Sequence, residues 1–185
     1  MKNLRILAIA FVTVISLNSC SKDDPKPVNE EEVITTVTTT LTGGGQTIVL
    51  RSRDLDGDGP TPPVVTVSGP LTAGTVYMGS VTFLDETTNP ADNITAEVLE
   101  EGVDHQLFFQ ALPSALGVFA YSDLDANGKP IGLQFRLTTA AAAAGGLTVT
   151  LRHEPNKSAA GVAAGDITNA AGSTDAAVTY PIVVQ

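Results

Sequence analysis

The chain has 185 residues, with 20 acidic against 10 basic side chains and a formal net charge of −10. That balance repels phosphate backbones and so argues against nucleic-acid binding. The one cysteine, Cys20, excludes an internal disulfide, and the absence of tryptophan removes the best ring for stacking on a ligand.

Met1 to Arg5 is short and basic, and Ile6 to Leu17 is an apolar run interrupted only by small polar residues. The run is shorter than the roughly 20 apolar residues that a membrane-spanning helix needs, so residues 1–19 read as a secretory signal. Leu17-Asn18-Ser19-Cys20 resembles a lipobox, with a small residue directly before the cysteine. In bacterial lipoproteins that thiol receives a diacylglycerol, the leader is cut, and the new amine is acylated. One acyl chain holds a protein only marginally, at about 0.8 kcal/mol per buried methylene, and two or more anchor it stably. Removing 19 of the 185 residues leaves 166, enough for one domain with its own core. Loss of Lys2 and Arg5 leaves 8 basic against 20 acidic residues, a net charge of −12.

Ser21-Lys22-Asp23-Asp24 resembles the surface-export signal of Bacteroidota lipoproteins and reads equally well as a solvated linker. Residues 20–32 are charged and rich in proline, which predicts a disordered tether behind the lipidated cysteine. Its last twelve residues span at most ~40 Å when extended.

From Val33 the pattern changes to period two. Val33, Val37 and Leu41 share one face with threonine methyls between them, and the other face is almost all threonine. A triple-glycine turn leads to residues 46–53, where Ile48 and Leu50 point inward while Thr47, Arg51 and Arg53 point outward. Further strands are predicted at 64–68, 75–84, 94–100, 105–112, 117–121, 131–138, 147–153 and 176–184. Thr95–Glu101 and Ala140–Ala144 read alternatively as one or two turns of helix. Pro155 to Asp175 is rich in Ala, Gly, Ser and Asn and is expected to be a mobile loop. Leu50–Phe83 and Phe119–Arg152 align at a constant offset as a weak internal repeat. The predicted fold is all-β, an antiparallel β-sandwich (Ig-like or related) over residues 33–185.

Two acidic turns suggest calcium. Asp54, Asp56, Asp58 and Gly59 spell D-x-D-x-D-G, and Asp123, Asp125, Asn127 and Gly128 spell D-x-D-x-N-G. Alternate side chains of a tight loop converge on one point, as a cation seeking six to eight oxygens requires. The glutamate of a complete EF-hand is missing, since Val65 and Gln134 occupy the twelfth positions. Remaining ligands would come from Glu100, Glu101 or Asp85. The same residue types also suit plain β-turns.

His105 shares a face with Leu107 and Phe109, and His153 shares one with Val149 and Leu151. Both read as histidines at the rim of a core. A zinc site, with Glu101, Asp104 or Glu154 as further ligands, requires their two strands to meet. No nucleophile elbow, phosphate loop or dinucleotide fingerprint occurs, so the chain is not read as an enzyme; an unrecognised type of enzyme is the remote alternative. Tyr77 and Tyr180 fall on inward positions, which leaves Tyr121 as the ring for a glycan.

The stretches Asp54–Pro60, Glu100–Phe109 and Leu147–Lys157 resemble a group of small flavobacterial lipoproteins of unknown function. Some members carry a label naming a type 1 periplasmic-binding fold, a two-lobed α/β structure far longer than this chain. The resemblance implies compartment and lineage: an outer-membrane lipoprotein on the cell surface or the periplasmic face. The expected role is a non-catalytic binding or accessory module, calcium-stabilised through the acidic turns. It touches the membrane through its lipid and takes a protein or glycan partner. The alternative is a surface glycan-binding module of a nutrient-uptake system.

Overall fold

A computed structural model describes residues 32–57 and 59–185. The expected leader, Cys20, the tether up to residue 31, and Asp58 lie outside the described residues. Nine strands follow: β1 Thr36–Gly43, β2 Gln46–Arg53, β3 Val64–Val67, β4 Val76–Leu84, β5 His105–Leu112, β6 Gly117–Tyr121, β7 Gln134–Thr139, β8 Ala143–His153 and β9 Ser173–Val184. One helix, α1 Ile94–Glu100, lies between β4 and β5. The strands form two antiparallel sheets, in the orders β3-β2-β1-β4-β7-β6 and β5-β8-β9. The sheets pack face to face as an all-β sandwich.

Period-two patterning sets the core. Along β2, Ile48, Leu50 and Ser52 are buried and the residues between them exposed. β1 contributes Val37 and Leu41, β4 Tyr77, Val81 and Phe83, and β7 Phe135 and Leu137. The small sheet answers with Leu107 and Phe109 from β5, Leu147, Val149 and Leu151 from β8, and Tyr180, Ile182 and Val184 from β9. Phe109 meets Phe135 across the sheets with ring centroids 4.2 Å apart. The buried Tyr180 hydroxyl donates to the Val37 carbonyl at 3.0 Å, a polar tie between the layers.

Glycine acts at two decisive places. Gly44 and Gly45, with φ of +57° and +75°, close the two-residue β1–β2 hairpin, a geometry that needs positive φ at both positions. A Cβ on Gly79 would lie 2.3 Å from the Phe135 ring, so β4 must be bare where that ring sits.

The segment 94–100 takes the helical alternative. Ile94 and Val98, four apart, are buried on one side, a helical and not a strand spacing. Thr95 ties the helix to β4, accepting from the Phe83 amide at 2.8 Å and donating to its carbonyl at 3.1 Å. Val33, expected on the inner face of the first strand, precedes β1 and is exposed. The two repeat halves part company: both acidic turns close hairpins of the large sheet, but β4 stays in that sheet whereas β8 enters the small one.

The 155–175 segment is packed, contrary to the expected mobile loop. Short 3₁₀ turns at Val162–Ala164 and Ile167–Asn169 cover the outer face of β5, where Phe108 is buried with Val162 and Ala170. Gln106 donates to the Val162 carbonyl at 2.8 Å. Its small residues serve close packing, which composition alone does not distinguish from disorder.

At the large sheet's outer face, Glu86 accepts from Thr36 at 2.8 Å and from Arg51 and Arg53 at 2.7 Å each. The Arg53 guanidinium first, then Thr36 and Arg51, hold its carboxyl down at about 2. A depressed folded pKa contributes stability that is complete above the ordinary glutamate range and is lost as pH falls toward 2. Glu86→Gln is expected to flatten the acid limb of the thermal midpoint between about pH 4.5 and 2. An acid limb identical to that of the unmodified protein would contradict this role.

Candidate functional site

The second acidic turn is occupied by the protein itself. Asp123 spans the β6–β7 hairpin, accepting from the amides of Gly132 at 2.7 Å and Gln134 at 2.9 Å. Asp125 Oδ1 accepts from the amides of Asn127 and Lys129 at 2.8 and 2.9 Å, while its Oδ2 meets the Lys157 ammonium at 2.9 Å. Lys157 is buried and also donates to the carbonyls of Gly102 and Pro130. Burial pushes the Asp125 carboxyl up, but Lys157 and the two amides together hold it below the usual carboxylate range. Burial likewise pushes the Lys157 ammonium down, against the pull of Asp125. The cation at this turn is therefore an ammonium, and Asn127 stands exposed at its tip.

In the first turn, Asp56 Oδ2 accepts from the Thr61 amide at 3.1 Å, which lowers its pKa. The Asp54 amide donates to the Thr35 carbonyl at 2.7 Å. Asp54 and Asp56 line a cavity of about 540 Å³ together with Glu32 and Asp175. Asp85, also considered for calcium, is satisfied in its own turn by the amide and hydroxyl of Thr87.

The two histidines do meet. His105 opens β5, His153 closes β8, and the ladder pairs them directly. Their rings lie 4.6 Å apart, tilted by 44°. Both are buried, His105 completely, so they are core residues at the end of the small sheet and not rim residues. Burial first, then the neighbouring His153, lowers the pKa of His105 and favours the neutral ring.

The carboxylate facing them is Asp175. Its Oδ2 lies 3.7 Å from His105 Nε2 and its Oδ1 lies 3.7 Å from His153 Nδ1, and its side chain is fully buried. The β8–β9 register explains the placement. Leu151 pairs with Ala176 but Arg152 with Thr174, so Asp175 is the extra residue of a β-bulge. A bulge interrupts the alternation and re-aims the residue it inserts. Two features hold it there. Arg152 donates to the Ala171 and Gly172 carbonyls, at 3.1 Å from Nε and 2.6 Å from Nη2, and to the Thr174 hydroxyl. Gly172, with φ +70°, lies so close to β8 that a Cβ would stand 2.0 Å from the His153 carbonyl.

Glu32 and Glu101 approach the same place. Their carboxylates and a ring nitrogen of His105 lie within 4.8 Å of one another, as do the ligand atoms of His105, His153 and Asp175. Burial, a hydrogen bond with Glu97, and the charges of Glu97, Glu101 and Asp175 push Glu32 up to about 7. Of the carboxylates suggested by sequence, Glu101 joins the cluster. Asp104 and Glu154 meet instead through backbone, the Glu154 amide donating to the Asp104 carbonyl at 2.6 Å. Asp175 and Glu32 were missed, one because it falls on a bulge and the other because it stands in the expected tether. The available signal was an aspartate three residues after Gly172, at the head of the alternating β9 run.

Tyr121, the ring left for a glycan, donates to the Leu107 carbonyl at 2.7 Å and accepts from Gln106 at 3.1 Å. Burial pushes its hydroxyl up to about 12. No protein-family model, curated protein or solved structure matches the chain.

Lys157→Met strands the Asp125 carboxylate, whose side chain is 1% exposed. The expected loss in urea unfolding is about 3 kcal/mol, and adding Asp125→Asn should recover part of it. A loss below about 1 kcal/mol would mean the pair is solvated and leaves that turn open to calcium.

Proposed function

We propose that the mature chain is a lipid-anchored, exported, non-catalytic binding or accessory module on the outer membrane. The observation that carries the reading is a basic start, an apolar run of twelve residues, Ile6 to Leu17, and then a lone cysteine in Leu17-Asn18-Ser19-Cys20. A β domain beginning at Thr36, only sixteen residues after that cysteine, suits a module held near the membrane by a short tether. Calcium, in this reading, takes the first acidic turn, where Asp54 and Asp56 border an open cavity.

A second reading is glycan capture. A cavity of about 240 Å³ is lined by Phe109, Phe119 and Tyr121, which offers apolar ring area with a hydroxyl beside it. A glycan array tests it, and Phe119→Ala should abolish any signal that depends on this cavity.

Cells fed labelled palmitate should label the protein, and Cys20→Ser should remove both the label and the sedimentation with membranes. An unlabelled protein that is released by gentle lysis refutes the anchored reading. Protease treatment of intact cells distinguishes the two membrane faces, since a surface domain is degraded and a periplasmic one survives.

A further inference from the structure

We propose that His105, His153 and Asp175, with Glu32 as fourth ligand, form a buried site for a single divalent cation of the zinc class. The site would fasten the start of the domain to one end of the small sheet. This goes beyond the anchored-module reading and does not depend on it.

The argument starts from one ring. His105 Nδ1 lies 3.2 Å from the Glu101 carbonyl, which only accepts, so Nδ1 carries the proton. The neutral ring then presents a bare lone pair at Nε2. That atom is fully buried and has no hydrogen-bond partner. It lies 3.7 Å from the Asp175 carboxylate, a gap too long for a hydrogen bond, so the ring's own lone pair goes unmet. A buried acceptor without a donor is costly, and a cation between the two removes the cost.

The spacing fits a metal. Ligand atoms about 2.1 Å from a tetrahedral ion stand about 3.4 Å from each other. Each histidine stands 3.7 Å from one oxygen of Asp175, close to that spacing, and the ligand atoms of the three residues lie within 4.8 Å of one another. The chemistry of the set is two imidazoles and carboxylates, the choice of zinc and its neighbours; calcium prefers six or more oxygens. Hydrogen bonding of the second ring nitrogen to a backbone carbonyl is the usual way a ligating histidine is oriented.

Glu32 completes the set because it lies close to His105 and shares the cavity wall with Asp175. That cavity, with Asp54 and Asp56 also on its wall, provides an acidic path from solvent. The ligands come from the lead-in to β1, the first residue of β5, the last of β8 and the bulge of β9. A chain with no possible internal disulfide would gain a cross-link among four segments distant in sequence.

The test uses the protein as isolated from cells, with any free thiol at Cys20 alkylated so that it cannot take metal, which makes the outcome independent of whether Cys20 carries lipid. After stripping with chelator, zinc is expected to bind at one equivalent, release protons and raise the thermal midpoint. Cobalt(II) should give the strong visible bands of a tetrahedral nitrogen–oxygen site. Asp175→Asn, which keeps the shape and removes a buried charge, should fold and lose both responses. Glu32→Gln should weaken zinc binding at least tenfold. His105→Gln should also abolish binding; if that variant does not fold, the cobalt spectrum and Asp175→Asn decide. A stripped protein that takes up neither metal overturns the proposal. So does zinc binding of equal strength in Asp175→Asn, or a calcium response abolished by the same substitutions, which would make the site an oxygen site for a harder ion.

Discussion

The fold depends on the pairing of β8 with its two neighbours. β8 is the middle strand of the small sheet, and its register against β5 and β9 places Leu147, Val149 and Leu151 in the core. Hydrophobic burial at about 25 cal/mol per Å² of apolar surface then holds the small sheet on the large one. The same register carries consequences at the end of the strand. It sets His153 opposite His105, and where it slips by one residue toward β9 it turns Asp175 inward. One ladder therefore builds the core and assembles the polar cluster beside it.

The small sheet is narrow, and a long connection covers its outer face. The 155–172 segment lays Val162 and Ala170 over Phe108. Lys157 runs inward to meet Asp125 and two carbonyls. A buried ammonium is tolerable only when it is paired and its donors are filled, and both conditions hold. The second acidic turn is thereby a structural socket. The first turn differs because its carboxylates border solvent space shared with Glu32 and Asp175.

Much of the sheet structure was legible because period two survives wherever one face is buried. β2, β5 and β6 fall at the expected residues, and the inward positions of Tyr77 and Tyr180 follow from the same alternation. The helix at 94–100 was ambiguous because seven residues are too few for one period to exclude the other. Of the candidate site, the two histidines and Glu101 were visible. Their convergence was not, since it rests on which strand pairs with which and in what register. Asp175 was hidden for a sharper reason: a bulge breaks the alternation by which a strand is recognised.

By itself the sequence determined the local quantities: which segments are extended, which faces are apolar, where the turns need glycine, and that no internal disulfide is available. These follow from side-chain chemistry and the two-residue repeat of a strand, and need no knowledge of neighbours. Tertiary structure alone decided that the second strand after each acidic turn, β4 in one case and β8 in the other, enters a different sheet. It also decided that Lys157 fills the second turn and that residues 32, 105, 153 and 175 gather at one end of the sandwich. Those outcomes depend on contacts between residues far apart in the chain. The energy of such a contact exists only once the sheets have closed, and no short window of residues encodes it.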